Sequence, residues 1–110
     1  MPHLTIEYSK NIENNIEIND LVQAMHNSAA SIDALPIGGL RTRAVARKHF
    51  LVADGHSSNT FVNVALRIAP GRSESIKKEA GEKLFLSLKN FFSEFSDSSP
   101  IALSLSLIHI

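Results

Sequence analysis

The second residue, Pro2, is the one with the most unusual chemistry on offer. If Met1 is removed, as is usual before a small residue, Pro2 becomes the N-terminus and carries a rigidly held secondary amine. An ordinary α-amino group titrates near ~7.7–8.0, and burial or neighbouring cations lower that value by disfavouring the ammonium. A neutral amine fixed at a sheet edge could act as a general base at neutral pH. Proline is equally at home at the first residue of a strand, so position alone leaves both readings open. Two further features can be set beside it. Arg41 and Arg43 alternate with Leu40 and Thr42 just after Gly38-Gly39, so both project from one strand face. A pair of guanidinium forks suits a carboxylate, although the same pattern also describes a solvated strand face. Arg72, within Gly71-Arg72-Ser73, precedes a long helical pattern. Free N–H groups and the positive dipole end favour an anion there, and a plain loop with Ser73 as N-cap is the alternative.

The other candidate groups are weaker. His3, His49, His56 and His109 show no metal-ligand spacing, and no metal site is expected. They read as structural or solvated, with His3 and His49 held open as residues lining a site. Glu7 shares a face with His3 and Thr5. There is no cysteine, which excludes a disulfide frame, a thiolate metal site and a cysteine nucleophile. Eleven basic residues balance eleven acidic ones among 110, so no global field favours nucleic acid or an anionic membrane. No basic-then-apolar leader opens the chain and no apolar run is long enough to span a bilayer. A soluble cytoplasmic protein of one domain is expected.

The elements that must position these groups follow from periodicity. Leu4, Ile6 and Tyr8 alternate with His3, Thr5 and Glu7, a half-buried strand from Pro2 onward. A polar, turn-rich stretch over 9–15 leads to a helix over 20–31, with Asp20 as N-cap and Gln23 closing a capping box. Its stripe is Leu21, Met25, Ala29 and Ile32, with Val22 beside it, and His26 falls off the stripe as a solvated residue. Strands are expected over 40–47 and, briefly, 49–53, followed by an Asp54-Gly55 turn. A strong strand covers 60–68, with Val62, Val64, Leu66 and Ile68 on one face and Phe61, Asn63, Ala65 and Arg67 on the other. A helix over 73–95 carries Ile76, Ala80, Leu84, Leu88, Phe92 and Phe95, and Gly81 would let it lie close on a sheet. A loop over 96–100 precedes a final strand over 101–108.

The order strand, helix, strand occurs twice, in halves of about 2–55 and 56–110. Each half is a βαβ unit, so the expected fold is α+β: a duplicated βαβ, four-stranded mixed sheet with two helices on one face. Val62, Val64, Leu66 and the leucines of the last strand offer more apolar surface than two helices need. That surplus predicts self-association, sheet against sheet.

The ensemble resembles the tautomerase superfamily, and within it the 5-carboxymethyl-2-hydroxymuconate isomerase family. The resemblance rests on Met1-Pro2-His3, Leu35-Pro36-Ile37-Gly38-Gly39-Leu40-Arg41-Thr42-Arg43, Ala53-Asp54-Gly55 and Ala69-Pro70-Gly71-Arg72-Ser73-Glu74. Ala80-Gly81-Glu82 and Ala102-Leu103-Ser104 agree as well. It implies the tautomerase fold, a homotrimer with sites at subunit boundaries, Pro2 as catalytic base, and Arg41 and Arg72 holding a small-molecule dicarboxylate substrate. Arg43 and His3 would complete the substrate-binding set. The implied reaction is a proton shift in a hydroxymuconate-type dienol, giving the conjugated ketone, with no cofactor, within bacterial homoprotocatechuate catabolism. The same scaffold is also compatible with a general keto–enol tautomerase, an enzyme of other small unsaturated acids, or a trimeric binding protein without catalysis.

Overall fold

A computed structural model describes residues 2–93 and 100–109. Four strands, β1 (His3–Ser9), β2 (Arg41–Arg47), β3 (Thr60–Ile68) and β4 (Ile101–His109), form one sheet in the order β2-β1-β3-β4. Pairings β1–β2 and β3–β4 are parallel, and the central pair β1–β3 is antiparallel. Two helices, α1 (Ile18–Ala30) and α2 (Glu74–Phe91), provide the two crossovers. This is the α+β, duplicated βαβ arrangement expected from the periodicity.

The core lies between the helices and one sheet face. Leu4 and Ile6 of β1, Val62, Val64 and Leu66 of β3, Leu21, Met25 and Ala29 of α1, and Leu84 and Leu88 of α2 are fully buried there. The valines and leucine of β3 are therefore covered within a single chain, and Leu103, Leu105 and Leu107 of β4 are half-covered beside α2. The residues expected to be surplus thus face the helices, and the far face keeps only scattered apolar residues, Val45, Phe61 and Ile108 the largest. Period-2 alternation sends Leu4, Ile6 and Tyr8 of β1 and Val62, Val64, Leu66 and Ile68 of β3 inward and leaves Phe61 on the other face. The open face instead carries His3, Thr5 and Glu7 of β1, Arg41, Arg43 and Arg47 of β2, and Asn63 and Arg67 of β3.

Four local expectations are corrected. Helix α1 begins at Ile18 with Glu17 as N-cap and no side-chain cap, so Asp20 lies in the first turn instead of capping it. Starting earlier packs Ile18 onto the core, and Asp20 still meets the positive dipole end. Residues 49–53 form no strand. The ladder β1–β2 ends at the Ser9–Arg47 pair, so a strand beyond it would have no partner for its N–H and C=O groups. A turn takes its place, closed by Gly55 N–H donating to Val52 O at 2.9 Å, which keeps the Asp54-Gly55 signal. His26 is not solvated: half-buried, its Nδ1 lies 2.7 Å from Thr42 Oγ1 and ties α1 to β2. Ile76 is exposed, outside the apolar stripe of α2.

The stretch over 9–15 holds a 3-10 helix (Lys10–Asn14) that buries Ile12. Helix α2 starts as expected, with Ser73 Oγ accepting from Ile76 N–H, and it ends at Phe91; Phe95 and positions 96–99 of the expected loop lie outside the described residues. A Cβ at Gly81 would meet Leu105 Cδ2 at 3.7 Å, an ordinary contact, so close approach does not require glycine there. No helix among the described residues is long and apolar enough to cross a membrane.

Candidate active site

The register gathers one end of the sheet. The N-terminal ends of β1 and β2 and the C-terminal end of β3 all lie there, because β1 runs with β2 and against β3. Pro2 precedes the first residue of β1, is buried, and its carbonyl accepts the Arg41 N–H at 3.1 Å. That bond locks Pro2 beside the start of β2. Met1 lies outside the described residues.

His3 follows on the open face, half-buried, paired with Arg41 on one side and Arg67 on the other. Arg43 is opposite Thr5, one face position along, and its Nη1 lies 3.2 Å from His3 Nδ1. A guanidinium has only donors, so Nδ1 must accept and the ring proton belongs on Nε2. Desolvation, followed by the charges of Arg43, Arg41 and Arg67, holds the His3 pKa below its ordinary value. His3 is therefore a neutral imidazole presenting Nε2–H at neutral pH.

This assignment has a stability consequence. The unfolded chain takes a proton on His3 more readily than the folded one, so stability falls as pH drops from the ordinary value of 6.5 through the lower folded value. Above 6.5 the effect is absent. Glu13, held down by its bonds from Lys10 and Tyr8, and Asp54, held down by the His56 N–H and Asn59, act in the same direction but only in the carboxylate range. Denaturant midpoints at pH 7.5 and 5.5 should therefore differ more in the native chain than in His3→Gln; equal differences would refute the assignment.

Arg41 is exposed, with Nη1 donating to the carbonyls of Gly38 and Leu40, both at 3.3 Å. The 3-10 turn Ile37–Gly39 supplies the first of these. Arg72 leaves the same sheet end in the loop between β3 and α2. Its Nε donates to Ala34 O at 3.0 Å and its Nη1 to Ala69 O at 3.3 Å, so one guanidinium bridges the loop after α1 and the end of β3. Gly71, at φ 111°, adopts the left-handed backbone this loop needs.

The structure thus brings Pro2, His3, Arg41 and Arg43 together, and puts Arg72 at the same end on the helix side. Ion pairs join Lys10–Glu13, Arg47–Glu7 and Lys77–Glu74, and none engages Arg41, Arg43, Arg67 or Arg72 among the described residues. The site is rich in unneutralised donors, which suits an anion. Arg67 is the residue that sequence reasoning missed. Alternation put it on the open face, but only the antiparallel register puts it beside His3. His49 is exposed in the loop after β2, and His56 Nδ1 accepts from Ser58 N–H, a local turn role. The His109 side chain is outside the described residues. No group of three metal-type ligands occurs among the described residues. A cleft of about 490 Å3 between the loop after α1 and α2, lined by Asp33, Ala34, Ile76, Glu79 and Lys83, contains none of these candidates.

Comparison with known proteins covers nearly the whole chain. The family profile described as 5-carboxymethyl-2-hydroxymuconate isomerase matches residues 2–110. A 5-carboxymethyl-2-hydroxymuconate Delta-isomerase of Escherichia coli is 32% identical over 104 residues, 94% of this chain and 82% of that protein. The crystal structure of a 5-carboxymethyl-2-hydroxymuconate isomerase from Deinococcus radiodurans R1 superposes with a TM-score of 0.87 at 37% identity, covering 99% of this chain and 82% of that one. The structure of a fused 4-OT wild-type symmetric trimer shares the fold alone, with a TM-score of 0.64 at 13% identity over 96% of this chain and 85% of that one.

Proposed function

The chain belongs to the 5-carboxymethyl-2-hydroxymuconate isomerase family, and from that premise we propose that it is an isomerase converting the hydroxymuconate dienol to its conjugated ketone. The name of the substrate states its anionic groups. A muconate carries a carboxylate at each end, and the carboxymethyl arm adds a third. The dicarboxylate expected from two arginines is then the muconate skeleton.

Neutral Pro2 takes the enol O–H proton. The O–H electrons form the carbonyl, the double bonds shift by one position, and the prolinium returns a proton to C5. Pro2 ends the cycle neutral, so one base suffices and the step needs no metal or organic cofactor. Arg41 and Arg72 bind carboxylates and stabilise negative charge that develops on oxygen. The single observation that carries this reading is the arrangement around Pro2: cations on neighbouring strands, none paired with a carboxylate among the described residues.

The working unit is a homo-oligomer, a trimer by analogy with the fused 4-OT trimer of the same fold. Arg41, Arg43 and Arg67 are exposed in one chain. Their charges act strongly only where water is reduced, and a second copy would supply the missing wall. Ultraviolet absorbance of 5-carboxymethyl-2-hydroxymuconate, with phenylenolpyruvate as a monoacid control, tests the function. The expected result is loss of the dienol band at roughly 1–10³ turnovers per second. Binding of the triacid without any spectral change would make the protein a binder and overturn the proposal.

A further inference from the structure

Arg67 is the cation that this mechanism leaves without a task. It lies one residue from the end of β3, exposed on the open face, paired with His3 in register. Arg41 is paired with His3 from the other side. Adjacent strands are about 4.8 Å apart, so Arg41 and Arg67 leave the sheet roughly 10 Å apart with the imidazole between them. Arg43 approaches the same ring.

Such a face is unfavourable for the fold by itself, because like charges on neighbouring strand positions repel. No carboxylate among the described residues of the surrounding elements offsets them. Glu7, the next carboxylate along β1, is taken by Arg47 at 2.6 Å. The partner of Arg67 on β4 is Ile108, which is apolar. No carboxylate among the described residues pairs with Arg41, Arg43 or Arg67. The hydrogen-bonding character is equally one-sided. Nδ1 of His3 is occupied as an acceptor, which leaves Nε2–H as a donor on a residue flanked in register by Arg41 and Arg67. A set made only of donors, two of them planar forks, is built for a carboxylate.

Resting on the isomerase reading, we propose that Arg67, with the Nε2–H of His3, binds a substrate carboxylate remote from the reacting enol and thereby selects a triacid over a diacid. Arg67 is a specificity-determining residue; it touches no reacting atom. Its contribution falls on binding, since that carboxylate carries the same charge in the ground state and the transition state.

Arg67→Gln removes the charge and keeps a polar side chain of an exposed position, so folding should be spared. Steady-state kinetics would compare 5-carboxymethyl-2-hydroxymuconate with 2-hydroxymuconate, which lacks the carboxymethyl arm. The variant should raise KM for the triacid about 10-fold or more, as expected for loss of a charge-assisted hydrogen bond. Its kcat and both constants for 2-hydroxymuconate should change less than about twofold. Arg67→Lys should recover part of the loss. An equal loss on both substrates, or none on either, overturns the proposal. Calorimetry with tricarballylate and glutarate reads the cluster without turnover: the native protein should prefer the tricarboxylate and Arg67→Gln should lose that preference. If neither substrate turns over while this preference persists, the isomerase reading fails and the anion cluster stands. If the native protein shows no preference, the cluster is refuted whatever the kinetics.

Discussion

Pro2→Ala should lower turnover of the hydroxymuconate by about 10²–10⁴-fold while leaving the fold intact, the range over which a positioned general base contributes. The position supports a selective effect. The Pro2 carbonyl, which holds the Arg41 N–H, survives in alanine, so the join between β1 and β2 is retained. What changes is the nitrogen. Alanine presents a primary amine on a freely rotating end, whereas the proline ring holds its amine in one direction. Some basicity therefore remains in Pro2→Ala, and the loss should lie toward the lower end of the range. Acylation of the Pro2 nitrogen removes the lone pair altogether and should cost more. Intact mass must first show Met1 absent, circular dichroism and thermal melting should match the native chain, and single-turnover kinetics should show the loss in the chemical step. Native activity in Pro2→Ala would show that the proline ring is not required, and native activity in the acylated protein would exclude this nitrogen from proton transfer.

Arg72→Ala should reduce kcat/KM for the triacid by roughly 10²–10³-fold, the scale of removing one preorganised donor from a developing oxyanion. Two effects compete in this variant. The guanidinium bridges Ala34 O and Ala69 O, so its loss frees two loops as well as removing a charge. The two predict different patterns. Loosened loops would lower the melting temperature and depress every substrate alike. A lost anion contact would depress the triacid more than phenylenolpyruvate, with little change in melting. Arg72→Lys separates them again, because an ammonium keeps the charge but cannot span two carbonyls and an anion as a planar fork can. An unchanged ratio between triacid and monoacid would show that Arg72 acts only as a tether.

Both results would bear on how the site is divided between the two sides of the sheet. Arg41 and His3 look out from the open face, while Arg72 holds the rim on the helix side. Pro2 lies at the strand end that both share.

What the sequence by itself determined is the set of local elements and the candidate residues. Alternation over His3–Tyr8 and 60–68 and the stripe Ala80–Leu84–Leu88 are backbone periods, and backbone periods are local. They were enough for the two βαβ units, whereas Pro2, Arg41, Arg43, Arg72 and His3 were singled out by residue type and by the family resemblance. Tertiary structure decided everything that depends on a partner distant in the chain. Residues 49–53 have strand-like composition but no strand left to pair with. Helix α1 starts at Ile18 because the core is there to receive it, against the capping preference of Asp20. Val62, Val64 and Leu66 look surplus until both helices are seen to cover them. Arg67 joins His3 and Arg41 only through the antiparallel register, and a shift of one residue would have turned it to the other face. Propensity acts over a few residues, whereas register and burial are settled by contacts between segments roughly forty to sixty residues apart, and the charge of this site is set by those contacts.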